Sequence, residues 1–233
     1  LEGTYALLSD VFEADFLAAE DLTSSVSEVR NYVTAAESAY DMIADGQPIS
    51  IRMLESLQSV LLRGTPSDGP QAGSVRTTQI FIGVGNRNVS SARFVPPPVD
   101  HRLLDGLQQW QEWIREPSPV PTIVRVALAH YQFEALHPFH DGNGRLGRLV
   151  MLLQLMAAGD LRYPVLNIAP WLEQRRTEYQ DGLLRVSQTG RWDDWVSFIA
   201  AAIHAEALEV IDRVEKLLAL RESFRETLRG AKG

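Results

Sequence analysis

Twelve residues near the middle of the chain hold most of the groups that could do chemistry: His137-Pro138-Phe139-His140-Asp141-Gly142-Asn143-Gly144-Arg145-Leu146-Gly147-Arg148. A run with Ile123, Val126, Ala127, Phe133 and Leu136 at helical spacing leads into them. Pro138 disfavours helical backbone at His137, so the chain has to turn there. Gly142 and Gly144 admit backbone angles closed to other residues, and the next helix begins near Gly144. Backbone N–H groups at a helix start, beside a glycine-rich turn, form a cradle for anions. Arg145 and Arg148, three residues apart, share one face of that first turn. Cradle and arginines together suit several phosphates. Asp141, set among these positive groups, offers the carboxylate that Mg²⁺ takes alongside substrate oxygens and water. His137 offers an imidazole that accepts a proton near neutral pH. The combination describes transfer of a phosphorus group onto a hydroxyl.

A competing reading makes His137, His140 and Asp141 a transition-metal cluster, but the neighbouring arginines and Pro138 suit phosphate chemistry better. His130, upstream of the turn, reads as a structural hydrogen-bonding residue. Gly83-Val84-Gly85 lacks both a third glycine and a following helix, so it is turn composition and not a dinucleotide loop.

The elements that must position these groups are mostly helical. Apolar spacing predicts helices over 4–20, 25–44, 50–62, 100–115, 121–136, 144–158, 169–188 and 192–229. Thr77–Val84 stands apart, because TTQIFIGV is rich in β-branched and aromatic residues and reads as a short hairpin or extended flap. Phe94-Val95-Pro96-Pro97-Pro98 is extended by its prolines. The expected fold class is all-α with one small β-hairpin flap. The final helix grows more charged after Glu206, as a solvated or partner-packing tail does.

Bulk properties narrow the function classes. The chain has 233 residues, a formal net charge of -8 and no cysteine, so thiolate nucleophiles, cysteine–zinc sites and disulfides are excluded. The acidic balance argues against a nucleic-acid surface, which needs clustered Lys and Arg. The longest apolar stretch, Leu149 to Ala158, is broken by Gln154 and is too short to span a bilayer. With no signal-like segment at the start, a cytoplasmic location is expected.

The 137–148 segment matches the motif H-P-F-x-[D/E]-G-N-G-R-x-x-R at every fixed position, and the chain is identified by it as a member of the Fic family. Ala127–Phe133 (ALAHYQF), Ala92–Pro98 (ARFVPPP) and Gly190-Arg191-Trp192 are also similar to family sequences, so the resemblance covers about 1–205. It implies a Fic-type helical domain that transfers AMP from ATP to a Tyr, Thr or Ser hydroxyl of a protein, itself included. His137 would be the general base and Asp141 the Mg²⁺ ligand. Asn143, with the N–H groups of Gly142, Gly144, Leu146 and Gly147, would bind the α- and β-phosphates. Arg145 and Arg148 would neutralise the phosphate tail, Arg148 nearest its end. Ile80, Phe81, Ile82 and Gly83 would form a flap that covers the nucleotide and docks the target protein. Tyr179 and Gln188 would border the adenine.

The same resemblance makes Leu1-Glu2-Gly3-Thr4 the end of a self-inhibitory motif, with Glu2 pairing Arg148 where the γ-phosphate should lie. It divides the chain into N-terminal helices over 1–70, a core over 71–205 and a helical extension over 206–233. It also suggests self-association as a dimer. Three alternatives remain at this point: removal of AMP by the same site, use of another nucleotide, and a nucleotide-sensing module without catalysis.

Overall fold

The computed structural model describes residues 23–83 and 89–230. Glu2 and the patterned segment 4–20 lie outside the described residues. Among those described there are eight α-helices: α1 (Ser24–Ala44), α2 (Ile51–Leu62), α3 (His101–Arg115), α4 (Thr122–Leu136), α5 (Asn143–Ala157), α6 (Ala169–Gln174), α7 (Arg176–Thr189) and α8 (Trp192–Gly230). Several starts follow from side-chain caps that satisfy first-turn N–H groups. The Thr23 hydroxyl accepts from Val26 N–H at 3.4 Å, the Ser50 hydroxyl from Met53 N–H at 3.2 Å, and the Asp100 carboxylate from Arg102 N–H at 2.8 Å.

The centre of the molecule is α5, joined to α4 by the turn 137–142. Its sequence NGRLGRLVMLLQLMA is apolar nearly all round, as a helix enclosed on every side must be. On one flank Leu146, Leu149, Val150 and Leu153 meet Ala35, Ala36 and Ala39 of α1 and Leu54, Leu57 and Leu61 of α2. Leu103, Leu107 and Trp110 of α3 complete that cluster against Phe133 and Leu136. On the other flank Val126, Ala127 and Met151 pack with Leu172, Val186, Trp195, Ile199 and Ile203 from α6, α7 and α8. Two indoles pin α4 from opposite sides: Trp110 Nε1–H donates to the Ala129 carbonyl at 2.9 Å, and Trp195 Nε1–H to the Ala127 carbonyl at 2.8 Å. The helix carrying the chemical turn is thereby held along its length.

The helical expectation holds, with the described helix ends falling close to those read from the sequence. Three differences stand out. The expected hairpin is, among the described residues, a single antiparallel bridge between Ile82 and Phe94. The expected helix over 169–188 is broken at Arg175 (φ -116°, ψ 32°), where no glycine or proline marks a stop; the Arg175 guanidinium lies 4.1 Å over the Trp171 ring instead. And α8 carries exposed Leu208, Ile211, Val214, Leu217, Phe224 and Leu228 far beyond the packed core.

Candidate active site

The turn between α4 and α5 is built by backbone geometry first. His137 has φ 46° and ψ 63°, and among the described residues it is the sole non-glycine with positive φ. That left-handed conformation is unfavourable for a residue with a Cβ, so surrounding contacts must fix it. Its N–H donates to the Phe133 carbonyl at 2.9 Å, closing the end of α4. Gly142 (φ 80°) opens α5 without a side-chain cap, which leaves the first-turn N–H groups facing the turn. Between these points Asn143 staples the loop: its Oδ1 accepts from Phe139 N–H at 2.9 Å and its Nδ2–H donates to the Phe139 carbonyl at 2.7 Å.

Asp141 is fixed from three directions. Its Oδ2 accepts from the Ser67 hydroxyl at 2.6 Å, its Oδ1 accepts from Gly142 N–H at 2.6 Å, and Arg145 Nη2 lies 3.3 Å from Oδ1. Burial pushes its pKa up, but the Ser67 bond, the Arg145 charge and the Gly142 N–H outweigh it and hold the carboxyl below its ordinary value. It stays ionised and half-exposed. Gln58 of α2 supports the same turn by donating to the Asp141 carbonyl at 3.2 Å.

Beside the turn lies a cavity of about 850 Å³. His137, Gly144 and Arg148 form one wall, Ile82, Gly83 and Arg93 another, and Tyr179, Gln180, Leu183 and Ser187 of α7 a third. Arg93 reaches across to α7, bonding Gln180 Oε1 at 3.3 Å and pairing with Asp181. Tyr179 is set from behind, where its hydroxyl shares a hydrogen bond of 2.9 Å with His130 Nε2. The His130 ring stacks on Trp195, with centroids 6.1 Å apart.

Both histidines are neutral at physiological pH. Burial pulls the His137 pKa down to about 4; the Glu134 carbonyl and Asp141 oppose that pull and the Arg76 charge adds to it. His137 Nδ1 lies 3.4 Å from that carbonyl, which can only accept, so Nδ1 carries the proton and Nε2 keeps its lone pair. Burial takes His130 lower still, to about 3, with the Arg148 charge adding to the shift.

The structure thus brings His137, Gly144, Arg148, Ile82, Gly83 and Tyr179 to one cavity. Others expected at the site are placed differently. Leu146 is fully buried in the core, and Gly147 faces Glu134 and His130 at the α4–α5 contact. The Asn143 amide is spent on the loop itself. Arg145 is buried, its guanidinium held between Asp141 and, at 3.5 Å, Glu28 of α1. Gln188 is exposed on α7, and Ser187 faces the cavity in its place. Ile80 and Phe81 are half-buried beside the bridge. Residues missed by the sequence reading include Tyr131, Glu134, Arg93 and Gln180. Helical spacing would have found some of them: Glu134 is one turn before His137, and Leu183 and Ser187 follow Tyr179 at steps of four.

Comparisons with known proteins point to one family. Residues 48–155 match the Fic/DOC family model. A protein adenylyltransferase, fic-1, of Caenorhabditis elegans is 33% identical over 143 residues, covering 60% of this chain and 24% of the relative. The protein adenylyltransferase Fic of Drosophila grimshawi is 34% identical over 151 residues, 64% of this chain and 27% of the relative. The chain therefore spans about a quarter of the length of these curated relatives. In fold it is similar to a Fic family protein from Desulfovibrio desulfuricans, with a TM-score of 0.72 at 24% identity over 91% of this chain and 61% of that one. It is also similar to a BepC protein from Bartonella tribocorum with bound AMPPNP, with a TM-score of 0.54 at 16% identity over 85% of this chain and 92% of that one. The chain carries a Fic/DOC family domain, homologous to the Fic protein adenylyltransferases.

Proposed function

We propose that the protein transfers AMP from ATP to a Tyr, Thr or Ser hydroxyl of a target protein, including its own chain. The observation that carries this reading is the shared wall of the cavity: a neutral imidazole with its Nε2 lone pair available, a glycine-rich helix start and Arg148 all border one space. The names of the relatives supply the nucleotide and the reaction class.

In the proposed step the target oxygen attacks the α-phosphorus while the bond from that phosphorus to the α,β-bridging oxygen breaks. The hydroxyl proton passes to His137 Nε2 and pyrophosphate leaves. Gly144 and its neighbouring first-turn N–H groups take the α- and β-phosphate oxygens, and Arg148 takes the far end of the tail. Asp141 suits Mg²⁺: it is ionised and half-exposed, and Mg²⁺ completes its shell from phosphate oxygens and water around one or two carboxylates. Bound there, the ion would neutralise charge on the leaving pyrophosphate. Arg145, clasped by Asp141 and Glu28, serves this reading by orienting the metal ligand. The adenine end of the cavity is bordered by Tyr179, Leu183 and Ser187. The target chain would lie along Ile80–Gly83, where the backbone already makes one antiparallel bridge.

Two further parts rest on the sequence pattern. Glu2 would restrain the site through Arg148, and two copies of the chain would associate. A cysteine-free chain suits a reducing compartment such as the cytoplasm, and no helix among the described residues is long and apolar enough to cross a membrane.

The test is incorporation of label from α-³²P-ATP. His137→Ala should abolish incorporation while nucleotide binding persists; retained incorporation would remove His137 as the base. Glu2→Gly should raise automodification, and an unchanged yield would take Glu2 out of the mechanism.

A further inference from the structure

One buried cation has no part in the chemistry so far. Arg76 is 1% exposed, yet its guanidinium ends on backbone carbonyls, with no carboxylate partner among the described residues. Nε–H donates to the His137 carbonyl at 2.8 Å, and Nη2–H donates to the carbonyls of Pro97 at 2.6 Å and Leu136 at 3.4 Å. Nη1–H donates to the Thr78 carbonyl at 3.4 Å, and the Arg76 main-chain N–H donates to the Pro138 carbonyl at 2.8 Å. Three successive residues of the turn, 136 to 138, therefore hang from this one residue. So do Thr78 and Pro97, through their carbonyls.

The arrangement answers two physical problems at once. The last carbonyls of α4 have no acceptor role within the helix, and a cation at a helix C-terminus both bonds them and complements the helix dipole. His137 also sits in a conformation that a residue with a Cβ leaves unless it is over-determined. A planar fork of donors is the side chain best suited to holding several carbonyls in fixed directions; a lysine, with one donor centre, reaches fewer of them.

We infer that Arg76 is a positioning residue: it holds the His137 backbone left-handed, so that the imidazole faces the cavity, and ties Thr78 and Pro97 to the same turn. This rests on the proposed role of His137, and its experiment separates the two. In Arg76→Met, kcat for AMP transfer should fall about tenfold or more while KM for ATP moves less than about threefold, since misaligned reacting groups cost rate more than binding. Arg76→Lys should keep the acid limb of the pH–rate profile, because the charge remains, yet recover only part of kcat. The carbonyl and Cα ¹³C shifts of His137, which report backbone conformation whether or not the protein transfers AMP, should leave left-handed values in Arg76→Met. In the unmodified chain, the Arg76 Nε–H should exchange slowly with solvent.

The inference is overturned if the folded Arg76→Met protein keeps its kcat and its His137 shifts, or if the wild-type Nε–H exchanges as fast as that of a surface arginine. That last measurement decides the matter even where the variants fail to fold. A wild type that transfers no AMP, with protected Nε–H and left-handed His137 shifts, would sink the transferase reading and leave the positioning role standing.

Discussion

At His137 the enclosing turn trades base strength for availability. An imidazole with its pKa pulled to about 4 is a weaker proton acceptor than a free one, but essentially all of it is in the accepting form at pH 5.5. An ordinary histidine would be about nine-tenths protonated there and would lose about tenfold in rate between pH 7.5 and 5.5. Single-turnover AMP transfer at saturating ATP and Mg²⁺ should therefore stay within about twofold over that span and decline only as pH nears 4. A limb centred near 6.5 would show that the ring is more open to water than its surroundings allow. The orientation of the ring matters as much as its charge. The Glu134 carbonyl at Nδ1 selects the tautomer that leaves Nε2 ready, so in the proposed reaction the helix preceding the turn would contribute without touching the substrate.

Among the elements, the contact between α4 and α5 bears most directly on the site. Gly147 lets the two helices approach: a Cβ there would lie 2.5 Å from Glu134 Oε1 and 3.1 Å from the His130 ring. Glu134 ends in a flexible carboxylate and can yield, but His130 is confined by Tyr179 and Trp195. Gly147→Ala should cost about 1–3 kcal/mol in urea unfolding, with loss of nucleotide affinity as Glu134 is pushed toward the cavity. A change under about 0.5 kcal/mol would mean that the helices separate freely.

The helices themselves were legible in the sequence because their apolar spacing runs over many residues, and Pro138, Gly142, Gly159 and Gly190 punctuate it. The chemical turn was legible because its groups are adjacent along the chain. What stayed hidden was what only packing decides. TTQIFIGV has strand-like residues, but their pairing depends on a partner segment, and among the described residues the one β-bridge it makes with them is Ile82–Phe94. Arg145 and Arg148 look equivalent on paper, but packing buries Arg145 against Asp141 and Glu28 and sets Arg148 on the cavity wall. Arg76 gives no signal at all, since nothing in a sequence distinguishes an arginine that holds carbonyls from one that meets water.

For the molecule as a whole, two neutral histidines, His130 buried and His137 half-buried, make the fold sensitive to acid. The native state keeps His137 and His130 unprotonated down to about 4 and about 3, while in the unfolded chain both take up protons near 6.5. Between those values the unfolded state binds more protons, so stability falls as pH drops through 6.5 toward 4. Each group contributes a loss of roughly 1.4 kcal/mol at pH 5.5, and the pair about 3 kcal/mol. Asp141 acts in the same sense but at lower pH, with its contribution intact above the ordinary carboxylate range and lost only below it. Denaturant midpoints measured from pH 7.5 to 5.5 should show this decline, and His130→Phe should remove about half of it. A flat profile would contradict the neutral state of both rings in the fold.

The enclosure of α5 on every side also bears on how relatives of this protein diverge. On the proposed function its floor residues serve the fold and the chemistry together, so a change there is penalised twice. The ceiling is different: Arg93 and Ser187 are exposed and Gln180 half-exposed, where substitutions seldom shift stability by more than about 0.5 kcal/mol. New ligand preferences can accumulate on that upper rim while the machinery beneath it stays the same.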